Sequence, residues 1–507
     1  LIISRVFNWS GLVLGVGLLL ATAGCGYGNG TVIIPHPTGN YSVASFKGSY
    51  VFAVHGFFAS SGAPYREVGV ITADGNGNIT AGADELVSSG TGGVISNSSS
   101  ITGTYNIASD GTGSASLNST ALGAVLSQSQ ITFAVTLASS SEAELEEADF
   151  AADGAGNAEL QDSTAISNVP SGTFVFGIHQ DVDAQTAASA SQVGLMTVSG
   201  GSISGNMDEN LISSQPSLTL TGTLNAPTAM GAGNGSFTDS SSVTTNFDYF
   251  IVNSTKFVVL VSNAGAIGSG TAEAQSGAVA SGFAGTYAFG GRGDDVASGT
   301  AAIATVGEFT GSGASVSAGT LDSMQDGNYA QAVSFTASAG GTGTNPSPQG
   351  RVQVTLSTGP TMVFWMVSPA RAYFLTESNA GTQDGTADLQ TATSFSASTM
   401  KGQYAVVMDG IDSTPQAVAR IGTLQFDGSS KTTLVEEVND SSSGVGAQNP
   451  GALAGVYQVG NGGRVATQLS NTGGGLNLVM YAISGSQAYV LQVDSGTNTS
   501  GVIKLQK

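Results

Sequence analysis

One pattern recurs four times along this chain and limits its fold more than any single motif does. Four segments open with Gly, any residue, then an aromatic: Gly48-Ser49-Tyr50, Gly172-Thr173-Phe174, Gly285-Thr286-Tyr287 and Gly402-Gln403-Tyr404. Four segments close on Gln161, Gln275, Gln390 and Gln506, which lie 114, 115 and 116 residues apart. Between these bookends stand a Gly (Gly69, Gly194, Gly307, Gly422) and then an acidic residue (Glu85, Asp208, Asp322, Glu436). A Leu precedes the closing Gln by 15 residues at Leu260, Leu375 and Leu491, whereas the first copy has Glu146 there. Landmarks that keep their order and spacing mark tandem homologous units. The expected bounds are 47–163, 171–276, 284–391 and 400–507. The short junctions predict a string of units with limited mutual freedom.

Each unit reads as β-strands. Opening strands alternate, so that Tyr50, Phe52 and Val54 share one face, and Ile131, Phe133, Val135 and Leu137 repeat the pattern later in the copy. Six Asp-Gly pairs, Asp74-Gly75, Asp110-Gly111, Asp153-Gly154, Asp326-Gly327, Asp384-Gly385 and Asp427-Gly428, signal hairpins. In the first copy, strands are expected near 49–56, 66–73, 78–86, 101–108, 113–118, 130–138, 143–151 and 157–162. The fold class is therefore all-β: four tandem homologous antiparallel units of about eight strands each. A small up-and-down barrel is the expected architecture, with a two-sheet sandwich as the alternative. An immunoglobulin-like module stays open, although its Cys–Trp–Cys signature is absent.

Composition excludes several functions. The 507 residues hold 13 Lys plus Arg against 35 Asp plus Glu, a net charge of −22, yet only 9% are charged. Without a basic stripe, nucleic acid is not an expected partner. One Cys rules out intrachain disulfides and Cys-based zinc fingers, and three His cannot supply a Ser-His-Asp site in every copy. No P-loop, dinucleotide fingerprint or GxSxG is present, so no enzyme activity and no firm cofactor are expected.

The amino terminus carries an uncharged apolar run, Gly11 to Ala21, behind Arg5, too short to span a bilayer comfortably. The basic part of such a leader is expected to begin upstream of Leu1. Thr22, Ala23 and Gly24 then precede the only thiol, Cys25. Residues 1–25 thus resemble the signal peptide and lipobox of bacterial lipoproteins. The resemblance implies acylation of Cys25, with Gly26 after it favouring the outer membrane. Thr22 departs from the usual Leu of the lipobox. Plain secretion after Ala23 is the alternative. Residues 26–46 read as a tether. The repeats themselves resemble those of uncharacterised secreted β-rich bacterial lipoproteins, which supply no activity.

Several residue groups are candidate sites. Asp74, Asn76, Asn78 and Glu85 fall at ligand positions of an EF-hand-like loop, and Ca²⁺ is the one cofactor they suggest. Ile79 stands where that loop wants Gly, so a polar hairpin turn is preferred. Glu142, Glu144 and Glu146 share a strand face, read either as a Ca²⁺ row or as a solvated face that discourages edge pairing. The recurring acids Glu85, Asp208, Asp322 and Glu436 read as solvent-facing, with one binding site per unit as the alternative. His55 and His179 occupy one repeat position that holds Arg292 and Asp409 in the later copies; they read as loop-end residues. Arg292-Gly293-Asp294 spells an integrin-type tripeptide, read as chance. Met362 to Val367 is apolar on both faces and is expected to be buried between units.

The functional expectation is a non-enzymatic surface lipoprotein at the outer membrane, acting in adhesion or as an envelope interaction module. It would reach the membrane through its lipid and an extracellular partner or glycan through its repeats. Small barrels that each enclose an apolar ligand are one alternative, and an extracellular hydrolase with paired carboxylates is the other.

Overall fold

A computed structural model describes residues 39–507 apart from 183–188, 212–213, 296–300, 341–343, 379–380, 393, 413–415 and 445. Cys25 and most of the tether lie outside the described residues. The remainder forms four antiparallel up-and-down barrels, one per repeat, and no sandwich. In each barrel the first strand pairs with both the second and the last. Lys47–Phe58 lies between Pro64–Asp74 and Ala152–Leu160 in barrel 1, and Gly402–Ile411 lies between Ala417–Phe426 and Asn498–Leu505 in barrel 4.

The bookends have a steric origin. The opening glycines Gly48, Gly172, Gly285 and Gly402 have φ of +123°, +128°, +133° and +146°, a region that disfavours other residues. The aromatic two residues on turns inward, and the hydroxyls of Tyr50, Tyr287 and Tyr404 donate to the carbonyls of Ser140, Pro369 and Gly485. Each of these carbonyls lies in the turn before the seventh long strand of its own barrel. The interiors are filled: Phe174, Phe176, Phe237, Phe247, Tyr249 and Phe257 pack barrel 2, and Phe283, Phe309, Phe364 and Phe374 lie within ring contact in barrel 3.

Barrel 1 departs from its siblings. Its third long strand, Asn78–Ser88, meets Thr102–Ile107 only at Asn78↔Thr104 and Ile79↔Gly103, and the short strand Ser96–Ser98 covers part of the remainder. The short helix Ala121–Leu126 closes the gap with buried Ala121 and Leu122. Asp84 and Glu67, both fully buried, accept the Ala121 and Leu122 amides at its first turn, and Thr120 caps Gly123. Sequence periodicity missed this helix because six residues are too short to show a helical repeat.

The barrels do not form a string; they close into a ring. Val51, Val68 and Val70 of barrel 1 pack on Phe250, Val258 and Leu260 of barrel 2. Val175, Val193 and Leu195 of barrel 2 pack on Val363, Trp365 and Leu375 of barrel 3. Ala288, Val306 and Met324 of barrel 3 meet Val479, Tyr481 and Leu491 of barrel 4. Barrel 4 then returns to barrel 1, where Val407 and Ala419 meet Ala155. Burying one apolar face per neighbour favours close packing over a loose chain.

Candidate functional site

The closing Gln residues are inter-barrel locks. Gln161 donates its amide to the carbonyls of Met230 and Ile251 in barrel 2, and Gln275 to Gln349 and Met366 in barrel 3. Gln390 does the same to Gly462 and Ala482 in barrel 4. Gln506 completes the circle on Asp110 and Leu137 of barrel 1. A side-chain amide has two N–H donors, which suits one residue to two carbonyls. Two residues before each Gln, Glu159 binds Lys256, Glu273 binds Arg371 and Asp388 accepts from Tyr489. At the last junction the polarity reverses: Lys504 pairs with Glu142 and Glu144.

The recurring acids serve the same interfaces and are not solvent-facing. Asp208 takes two N–H groups of Arg351 and the indole N–H of Trp365, all across the junction. Asp322 likewise binds Arg464 and the Tyr481 hydroxyl. Strand register pairs Ala232 with Phe250 where it pairs Arg351 with Trp365 and Arg464 with Tyr481. Glu85 therefore faces a junction without those donors, and burial followed by Asp248 and Asp84 pushes its carboxyl up to about 8. Glu436 does not belong to this set. It pairs with Gly422 and turns into barrel 4 onto Arg420, so Glu437, opposite Ile421, is the register equivalent of Asp208 opposite Val193.

The opening strands converge on the ring axis, where His55, His179, Arg292 and Asp409 come from one repeat position in four barrels. His55 and His179 are therefore not loop-end residues. Asp409 accepts from His55 Nε2 at 2.7 Å and from Arg292 at 2.7 and 2.8 Å. Arg66 forms a two-pronged pair with Asp181 at 2.6 and 2.7 Å. His179 lies between Asp384 at 2.6 Å and Asp181 at 3.5 Å.

Two histidines at one repeat position thus differ in protonation state. Burial, then the nearby Arg292 cation, hold His55 down at about 4. It is neutral, donating from Nε2 to Asp409 and leaving Nδ1 toward Arg292 Nη2 at 3.5 Å. For His179 burial also opposes charge, but Asp384 and Asp181 outweigh it and hold the ring up at about 9. Burial would raise Asp181 and Asp409, yet their cationic partners keep both well below the ordinary carboxylate range.

Among the described residues, cavities open along the axis. One of about 600 Å³ is bounded by the histidine and arginine layer and by residues of all four barrels. A middle one of about 310 Å³ shares His55, Arg292 and Asp409 with it. A third of about 460 Å³ lies against Lys256, Arg371 and Lys504. Between the layers small residues meet large ones: Gly177 lies under the Tyr373 ring and Gly290 under Tyr489, where a Cβ would come within 2.7 and 2.5 Å.

The other candidates fall elsewhere. Asp74 accepts the amides of Asn76 and Asn78 and the Asn78 side chain, a hairpin turn closed on itself. Glu85 lies six residues up the strand from Ile79, about 20 Å away by strand rise, so the loop set is not assembled. Among the described residues no group of three His, Cys, Asp or Glu is placed to hold a metal. Glu144 and Glu146 are not a solvated face; they are buried at the junction with barrel 4, where Glu146 accepts the Asn439 amide. Arg292 and Asp294 lie in the strand Phe283–Asp295 and line the axial cavity. Met362, Phe364 and Met366 face the core of barrel 3 while Val363, Trp365 and Val367 pack against barrel 2, the burial expected. No protein-family model matches the chain, and no curated protein is significantly similar to it.

Proposed function

We propose that the chain is an exported, non-enzymatic interaction module, held at the outer membrane through Cys25 and presenting the four-barrel ring to an extracellular partner or glycan. The carrying observation is that the repeated residues are spent on structure: opening aromatics fill the barrels, and closing Gln residues bind one barrel to the next. Filled interiors argue against an apolar ligand inside each barrel. The axial carboxylates are tied to arginine and histidine, which suits them poorly to general acid work.

Mass spectrometry of the mature protein, expressed with its leader in a Gram-negative host, tests the anchor. A lipid-modified Cys25 as first residue is expected, and an unmodified Gly24 there overturns it. A glycan and lipid array probed with the soluble ring, residues 39–507, tests the interaction. Saturable binding to at least one surface component is expected, and a blank array overturns the reading.

A further inference from the structure

We propose that the 600 Å³ axial cavity is a binding site for a neutral, multiply hydroxylated ligand of about one sugar ring. The inference rests on the interaction-module reading above and gives it a location. Its volume falls in the range of small-molecule pockets, roughly 300–1,000 Å³. It forms only where four barrels meet, so it is a property of the ring and is absent from any single repeat.

The lining divides by chemistry. Phe57, Pro64, Val182, Ile303 and Ile411 give apolar wall, while the floor is the charged layer of His55, Arg66, His179, Asp181, Arg292, Asp294 and Asp409. Charges of both signs line it: the cations Arg66, Arg292 and His179 stand against Asp181, Asp294 and Asp409, with Asp384 behind His179. A net-charged guest would be drawn to one set and repelled by the other. A hydroxyl both donates and accepts, so a polyol can meet guanidinium and carboxylate edges together without displacing an ion pair. The Arg292 side chain, 36% exposed, is the floor group most open to such a guest. The C–H faces of a sugar ring suit the apolar wall.

The repeat position itself adds an independent argument. The opening aromatics and closing Gln residues recur in every copy, yet this position holds His, His, Arg and Asp. Four identical charges facing one axis would repel, and a mixed set avoids that. Divergence gave the floor its mixed donors and acceptors.

Saturation-transfer NMR and calorimetry on residues 39–507 decide the matter, with glucose, galactose and N-acetylglucosamine as neutral probes and glucuronate and inorganic phosphate as anionic ones. Saturable binding of a neutral sugar at one site per chain is expected. Ile303→Trp, which fills the cavity from a wall position without touching an ion pair, is expected to weaken that binding at least tenfold. Its folding is checked by the unfolding midpoint, and Ile411→Trp serves as a second filler. Binding of the anionic probes alone overturns the proposal, as does neutral-sugar binding that both fillers leave intact. An array hit that survives both fillers would keep the interaction module and remove this site from it, whereas a blank array and silent NMR remove both.

Discussion

Gly156, Gly270, Gly385 and Gly501 each stand five residues before a closing Gln, a recurrence as regular as the bookends. A Cβ there would lie 1.9–2.1 Å from the carbonyl of Ala53, Gly177, Gly290 or Val407 on the neighbouring strand. Gly385→Ala should therefore destabilise by roughly 2–3 kcal/mol through strain. Gly474→Ala, with open space around it, should change the urea midpoint little. Removing a lock by Gln161→Ala strips donors from two carbonyls and should cost about 2 kcal/mol. The histidines give a spectroscopic check. By ¹H–¹⁵N correlation, His179 should be charged at pH 7 and titrate near 9, while His55 should be neutral and titrate near 4. Equal titration near 6.5 would refute the axial network. The glycines were readable in the sequence as a recurring letter. The histidines were not, because their exchange for Arg and Asp makes sense only when four copies face one another.

At the scale of elements, three junctions bury a Leu at one repeat position and the fourth buries a Glu. Leu260, Leu375 and Leu491 are buried between barrels, and the odd residue of that series, Glu146, lies where barrel 4 meets barrel 1. Tyr373 and Tyr489 are likewise replaced there by Glu144, which Lys504 neutralises. A buried ion pair contributes little against an apolar equivalent but is costly to halve. Lys504→Met should thus destabilise by about 3–5 kcal/mol. Hydrogen exchange should rise first along Gln130–Ser139 and Gly402–Ile411. The pair Glu144→Leu with Lys504→Met should recover most of the loss. If amides at the junction of barrels 2 and 3 open as early, the seam is not the weak point. The strand count and four of the six Asp-Gly hairpins were legible because alternation and tight turns are local signals; Asp153-Gly154 and Asp384-Gly385 lie inside the last strands of their barrels, where the Gly lets the first strand approach closely. The helix Ala121–Leu126 and the seam were not, since a buried Glu and a solvated one look alike in sequence.

For the whole molecule, the sign of the pH dependence follows from where the acids sit. Burial raises Asp84 to about 6, Asp153 to about 7 and Glu85 to about 8, and holds Glu67, Glu146 and Glu147 well above the ordinary range. A carboxyl raised on folding stabilises fully below its unfolded value near 4, and that stability is lost as pH rises through the folded value. His179 acts in the same direction, losing its contribution between about 6.5 and 9. The opposing groups include His55, which loses stability as pH falls from 6.5 to about 4, and the ion-paired carboxyls of Glu159, Asp181, Asp322 and Asp409, which lose it only below about 4. With a net charge of −22 adding repulsion at high pH, calorimetry should find a higher Tm at pH 5 than at pH 8. A Tm that rises monotonically from pH 5 to 9 would contradict these placements.

The sequence alone determined the class, the copy number and the strand order, because side-chain alternation, turn chemistry and glycine positions act within a few residues of themselves. Only the tertiary structure decided that the copies close into a ring. The surfaces that meet there carry ordinary strand patterns, and their complementarity lies between residues more than a hundred positions apart: a Gly beneath a Tyr, an Asp against an Arg, a Gln under two carbonyls.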